Sequence, residues 1–208
     1  HCMYRNTQDA AVTGLRLGDQ PMTVGAQEWH FNTQFWGQIV CTLDEADLTT
    51  GTFNITPTWA SPGPAGVSII GYRVWVLQNT ASRSWLHDTD YFNGLSNREP
   101  ALTGVDPNSF LFTSSGDSAE NSSHALSGIT PDTLYDNLST SNSWIDASMR
   151  SAVDEDSGAG SSFTATWSAV DGKGLAVLSA LQYAASTGGE EVEPIIPAQV
   201  GTVTLDNS

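Results

Sequence analysis

Apolar and hydroxyl positions alternate along 162–170. Phe163, Ala165, Trp167 and Ala169 take the odd positions, and Ser162, Thr164, Thr166 and Ser168 take the even ones. Period-two alternation predicts a strand with one buried and one wet face. Asp171-Gly172 follows, and then an apolar run over 175–183. A DG turn between two apolar runs predicts a β-hairpin. The same reasoning predicts strands over 12–17, 22–31, 35–43, 52–59, 67–78 and 199–205. In 35–43, Phe35, Ile39, Cys41 and Leu43 share a face. Pro57 interrupts 52–59, which suggests an edge or a bend. Segment 67–78 is apolar on both faces, with Ile69, Trp75 and Leu77 on one and Ile70, Tyr72, Val74 and Val76 on the other. A strand of that kind lies between two layers or at a subunit interface.

No segment has the 3.6-residue period of a long amphipathic helix; 131–138 and 144–150 have room for one short helical turn each. Repeats and heptads are missing too. The stretch 82–162 is polar and rich in Asn, Asp, Ser and Gly, with isolated aromatics. It predicts long structured loops with short strands that elaborate one end of the core, the kind of place where functional surfaces concentrate. The fold expected is all-β: one domain over 1–208, an antiparallel barrel or sandwich with long polar loops and few or no helices.

Charge narrows the partners. The chain has 23 acidic and 7 basic residues, a formal charge of −16, and a single lysine, Lys173. Such a surface repels phosphate backbones and anionic headgroups, so nucleic-acid and membrane-surface roles are not expected. No run of 18 apolar residues exists, and membrane insertion by a helix is not expected either. What remains is a surface of neutral hydrogen-bonding groups, suited to sugar or protein partners.

Reactive chemistry has no motif here. The four histidines, His1, His30, His87 and His124, form no HExxH, and there is no Cys-x-x-Cys, P-loop, dinucleotide fingerprint or G-x-S-x-G elbow. No metal, cofactor or enzymatic activity is expected. A Ser/His/Asp triad has all its residue types available, but nothing in the sequence brings them together. Asp88-Thr89-Asp90-Tyr91-Phe92-Asn93-Gly94 with Glu99 imitates a calcium loop, but Phe92 stands at a ligand position and the glycine comes one place late. Cys2 and Cys41 leave two readings open: a disulfide that closes a long loop, or two thiols, with Cys41 in the core. Of three sequons, at Asn54, Asn121 and Asn137, most are what chance provides in so Asn- and Ser-rich a chain.

The best binding candidate is the segment 82–93. Its Trp85, His87, Asp88, Asp90, Tyr91 and Asn93 mix flat aromatic faces with polar donors and acceptors. A sugar needs both, one for its C–H patch and one for its hydroxyls. The structural alternative has Trp85, Leu86 and Phe92 packing the segment onto the core.

On Glu28-Trp29-His30-Phe31, Gly71-Tyr72-Arg73-Val74-Trp75-Val76 and the turn at Asp171-Gly172, the chain resembles the protruding capsid spike domain of small non-enveloped RNA viruses. It is similar more narrowly to the spikes of avian astroviruses. The resemblance covers the whole chain in size and character. It implies a β-barrel core and a homodimer standing on the virion surface. It also implies attachment to a host-cell receptor, glycan or protein, and exposure to neutralising antibodies. Release from a larger capsid precursor is implied as well, in keeping with a first residue other than Met. No family motif is matched residue by residue, so no receptor contacts are carried over. The alternative is a secreted bacterial carbohydrate-binding or adhesin-type β module.

Overall fold

The computed structural model describes residues 1–6, 10–31, 35–43, 47, 54–60, 68–72, 74, 83–93, 97–118, 124–135, 138–141, 146–168, 173–183 and 203–206. Its contacts divide into two compact units, 1–72 with 202–208, and 73–201. Both are built from antiparallel sheets, sandwich-like and without a closed barrel.

The first unit holds β1 (Cys2–Asn6), β2 (Val12–Leu17), β3 (Gln20–Pro21), β4 (Thr23–Phe31), β5 (Phe35–Thr42), β6 (Ile55–Trp59), β7 (Ser68–Tyr72) and the last strand, β18 (Val203–Asp206). One sheet runs β18-β7-β1-β5-β4 and the other β3-β2-β6. The strand expected over 12–17 is β2, and those expected over 22–31, 35–43, 52–59 and 199–205 correspond to β4, β5, β6 and β18, with 52–53 and 199–202 outside the described residues. Of 67–78, β7 covers the first part, and 75–78 lie outside the described residues.

Alternation decides the core of this unit. Cys2, Tyr4, Ile39 and Cys41 project from the larger sheet onto Val12, Leu15, Ile55 and Trp59 of the smaller one. Tyr4 is the hinge of the packing. Its ring meets Trp59 edge-on at 5.6 Å. It lies over Gly37, its cross-strand partner, where a Cβ would come within 2.3 Å of the ring. The ladder between β2 and β6 slips between Val12 and Gly14. Two side chains serve Val12 there: its N–H donates to Tyr4 Oη at 3.1 Å, and its carbonyl accepts from Gln27 Nε2 at 2.6 Å. Tyr4→Phe removes the acceptor of a buried N–H, so a loss of about 1–3 kcal/mol in urea unfolding is expected. Cys2 and Cys41 are both buried in this core and stand here as free thiols. Cys2 faces Ile39, so Cys41 lies diagonally across the ladder.

The second unit carries β8 (Arg83–Asn93), β9 (Ala101–Thr103), β10 (Phe110–Asp117), β11 (Ala125–Ser127), β12 (Thr133–Leu134), β13 (Leu138–Ser141), β14 (Asp146–Asp154), β15 (Ser162–Thr164), β16 (Thr166–Ser168) and β17 (Lys173–Tyr183). The main sheet runs β12-β14-β10-β17-β8, with β13 also on β14. A second layer is centred on 162–168. The segment 98–103 flanks it through β9 and an Arg98–Trp167 bridge, and β11 flanks its other side. Trp167, Ala165, Leu102 and Val105 pack down onto Leu111, Ala152, Ala176, Leu178 and Ala180 of the main sheet.

Three expectations change here. The stretch 82–162 is not mainly loop: it holds three of the longest strands, β8, β10 and β14. The segments 131–138 and 144–150 contribute strands rather than helical turns. The hairpin across Asp171-Gly172 is replaced by a face-to-face contact: β16 pairs with β11, and β17 pairs with β8 and β10. The inward face of 162–168 explains the change. Trp167 and Ala165 are fully buried against Ala176 and Leu178, which requires the two runs to lie in different layers. Residues 169–172 lie outside the described residues.

Candidate functional site

Of the binding candidate 82–93, residues 83–93 form β8, which is paired to β17 along its whole length and is the edge strand of the main sheet among the described residues. Strand alternation splits its six candidate residues between two faces. Trp85, His87 and Tyr91 share one face with the register position of Asn93, and Asp88 and Asp90 share the other. Trp85 meets Phe112 edge-on at 6.0 Å. His87 Nδ1 sits 2.7 Å from Ser179 Oγ, its direct cross-strand neighbour. On the other face, Leu86 packs on the core. Asp88 accepts the Ala101 N–H and Asp90 the Glu99 N–H, both at 2.7 Å. The two carboxylates thus hold the 98–103 segment beside the strand. Trp85, His87, Asp88, Asp90 and Tyr91 all remain partly exposed.

The same end of the sheet carries a group that sequence reading did not assemble. Ser115 and Asp117 on β10, Ser148 and Arg150 on β14, Arg98 and His124 come together beneath the second layer. Arg98, Ser115, Asp117, His124 and Ser148 are buried, and Arg150 is half-buried. Their hydrogen bonds have one consistent direction. Ser148 Oγ donates to Asp117 Oδ1 at 3.1 Å, so its proton is committed. His124 Nε2, 3.0 Å away, must then be the donor to Ser148. That leaves Nδ1 to accept from Ser115 Oγ at 3.1 Å, and Ser115 in turn accepts from Arg98 Nη1 at 3.4 Å. The relay runs Arg98, Ser115, His124, Ser148, Asp117. Arg150 clamps it from the side, donating to the carbonyls of His124 at 2.7 Å and Tyr135 at 3.1 Å. Trp167 closes it, edge-on to the imidazole at 6.4 Å, with its own N–H on Thr113 Oγ1 at 2.8 Å.

These are the residue types of a hydrolytic triad in a different arrangement. In a triad the serine faces one imidazole nitrogen and the carboxylate the other. Here Ser148 and Asp117 both lie on the Nε2 side, and the serine's proton is already spent on the carboxylate. His124, Ser115, Ser148 and Asp117 have no exposed surface. The chemistry of the group is to hold a sheet end together.

Burial sets the protonation states. It lowers the His124 pKa to about 4, against the pull of Asp117, and Arg98 and Arg150 lower it further. Burial also lowers His87 to about 4, with Asp88 opposing. Both imidazoles are therefore neutral in the folded chain at neutral pH. The unfolded chain, with histidine near 6.5, takes up protons first on acidification. Stability present above about pH 6.5 is lost as the pH falls towards about 4. Asp154 works in the other direction. Burial raises it to about 6, and the neighbouring Asp132 and Asp156 add to the rise. Its contribution is present below the usual aspartate value and is lost as the pH rises through about 6. Burial and Asp132 raise the adjacent Glu155 as well, but both carboxyls are partly exposed, so the two buried histidines dominate. Urea midpoints measured from about pH 7 down to about pH 4.5 should fall, and His124→Asn should flatten that slope.

Among the described residues, no group of three or more His, Cys, Asp or Glu side chains is placed to hold a metal ion. No family model matches the chain, and no curated protein or solved structure matches it.

Proposed function

We propose that this chain is a capsid-surface spike whose role is attachment to a host-cell receptor. The observation that supports this most is the β8 edge. An eleven-residue strand at the rim of a two-layer unit keeps Trp85, His87 and Tyr91 partly exposed on one face. Its carboxylates brace the neighbouring segment, so the strand is a rigid platform. Rigid aromatic groups with adjacent polar atoms are efficient recognition elements, because little side-chain freedom is lost on binding. The sealed His124 relay favours a binding role over a reactive one. The charge of −16 favours a glycan or protein receptor over nucleic acid or an anionic membrane. A module standing on the virion surface in this way would also be the target of neutralising antibodies.

Alanine substitution across 83–93 tests the assignment. Tyr91→Ala, at a part-exposed position, is expected to weaken binding of the folded protein to receptor-bearing cells about tenfold, or about 1.4 kcal/mol. Asp88→Ala and Asp90→Ala should lower stability more than binding. Unchanged cell binding across the whole series would remove β8 from the receptor surface.

A further inference from the structure

His124 is the buried anchor of an otherwise exposed segment. Ala125, Ser127 and Gly128 are exposed and Leu126 is half-buried, so His124 is the only fully buried side chain of 124–128. The remaining hold on the segment is short. β11 pairs with β16 over three residues, Ala125 with Ser168, Leu126 with Trp167 and Ser127 with Thr166. Arg150 Nη1 donates to the His124 carbonyl at 2.7 Å, and Leu126 packs against the core that contains Trp167. Gly128 ends the segment at a φ of +87°, a backbone conformation that glycine adopts without strain. The other flank of 162–168 is held more firmly. Arg98 and Trp167 exchange two backbone hydrogen bonds at 2.9 Å, and the Ala165 N–H donates to the Pro100 carbonyl at 3.0 Å. Asp88 and Asp90 brace that flank from β8.

The imidazole fits its site in one protonation state. Nε2–H donates to Ser148, and the bare Nδ1 accepts from Ser115. A second proton, taken from solvent at Nδ1, turns both nitrogens into donors. Ser115 Oγ must then accept from the imidazole as well as from Arg98, and its own proton loses its acceptor. Charge opposes the proton too. The charged groups that face His124 are Asp117 on β10, Arg150 on β14 and Arg98, while β16 presents the uncharged Trp167. Asp90 and Tyr91 on β8 act on Arg98 instead. A protonated His124 would place three cations around one carboxylate in a buried site, where unpaired charge is costly.

We propose that His124 is an acid-operated latch: on gaining a second proton it leaves the cluster and carries 124–127 off β16, while β10 and β17 stay paired. The release breaks a ladder of three residue pairs, whereas β10 and β17 are joined by eight. The latch is independent of the receptor-binding reading.

Amide hydrogen exchange of the whole chain at pH 7 and pH 5, corrected for the chemical exchange rate, reads the opening. An imidazole with a pKa of about 4 in place and 6.5 once released predicts that 124–127 opens about twentyfold more at pH 5. At both pH values the paired amides of 125–127 are expected to be less protected than those of β10 and β17 by about tenfold or more, as a local opening requires. His124→Gln, which cannot take up the proton, should remove the pH response of 125–127. Equal protection of 125–127 and the central strands overturns the proposal, because the segment would then open only when the whole unit unfolds; this comparison needs no substitution. So does a wild-type segment whose opening is the same at both pH values, or a pH response that survives in folded His124→Gln.

Discussion

Gly174→Val is expected to unfold the second unit or cost it more than about 3 kcal/mol. Gly174 lies on β17 directly opposite Asp117 on β10. A Cβ there would come within 2.0 Å of the Gly116 carbonyl oxygen, 2.8 Å of the Asp117 Cα and 2.9 Å of the Arg98 guanidinium. Two of these atoms are backbone of a central strand and have nowhere to move. The third belongs to the head of the relay. The clash would therefore push β10 and β17 apart where Arg98 and Asp117 are held. Gly174→Ala carries the same Cβ and should behave alike. Gly104→Ala is the control. Its φ of +71° strains a side chain, but no atom lies within 4 Å of the new Cβ. A cost of only about 1 kcal/mol is expected there. Urea unfolding of the three variants separates a steric block from a conformational penalty.

Asp117→Ala should cost about 3–5 kcal/mol, the usual result of leaving a buried charge without its partner. Asp117 is the largest of the charges that offset the desolvation of Arg98, ahead of Asp90. Its loss also strands the Ser148 hydroxyl, whose acceptor it is. If the charges serve only one another, Arg98→Met in the same chain should recover part of the loss. A cost below about 1 kcal/mol for Asp117→Ala would mean that water already reaches the cluster.

Strand positions were legible where apolar and polar residues alternate, as in β6, whose exposure alternates along its length. In β5, Ile39 and Cys41 share the core face as expected, but Trp36, Gln38 and Val40 on the other face are buried too. In β2 the slip between Val12 and Gly14 shifts the buried positions to Val12 and Leu15. β10 was not legible, for a physical reason. Its Thr113-Ser114-Ser115-Gly116-Asp117 run has the composition of a loop, yet the strand is buried along its whole length. Its polar groups are affordable there because they are paired, as when Thr113 Oγ1 donates to the Val177 carbonyl at 2.6 Å. Composition reports the cost of burying a hydroxyl, not the distant partner that offsets it. The same blindness hid the relay, whose members are drawn from 98–150 and meet only through the sheet register. One local signal was available: the alternating Thr113, Ser115 and Asp117 place three polar groups on a single face of a strand that begins Phe-Leu-Phe. For β8, the residue types were legible but not their division between two faces, because the segment has the polar composition of a loop, where alternation does not apply.

Attachment is tested most directly by adding labelled protein to cultured host cells, avian epithelium included, and then competing it against virus infection. Saturable binding that blocks infection in proportion to occupancy is expected. Absence of binding to any cell, with retention on an insoluble polysaccharide instead, would contradict it and place the chain among carbohydrate-binding modules.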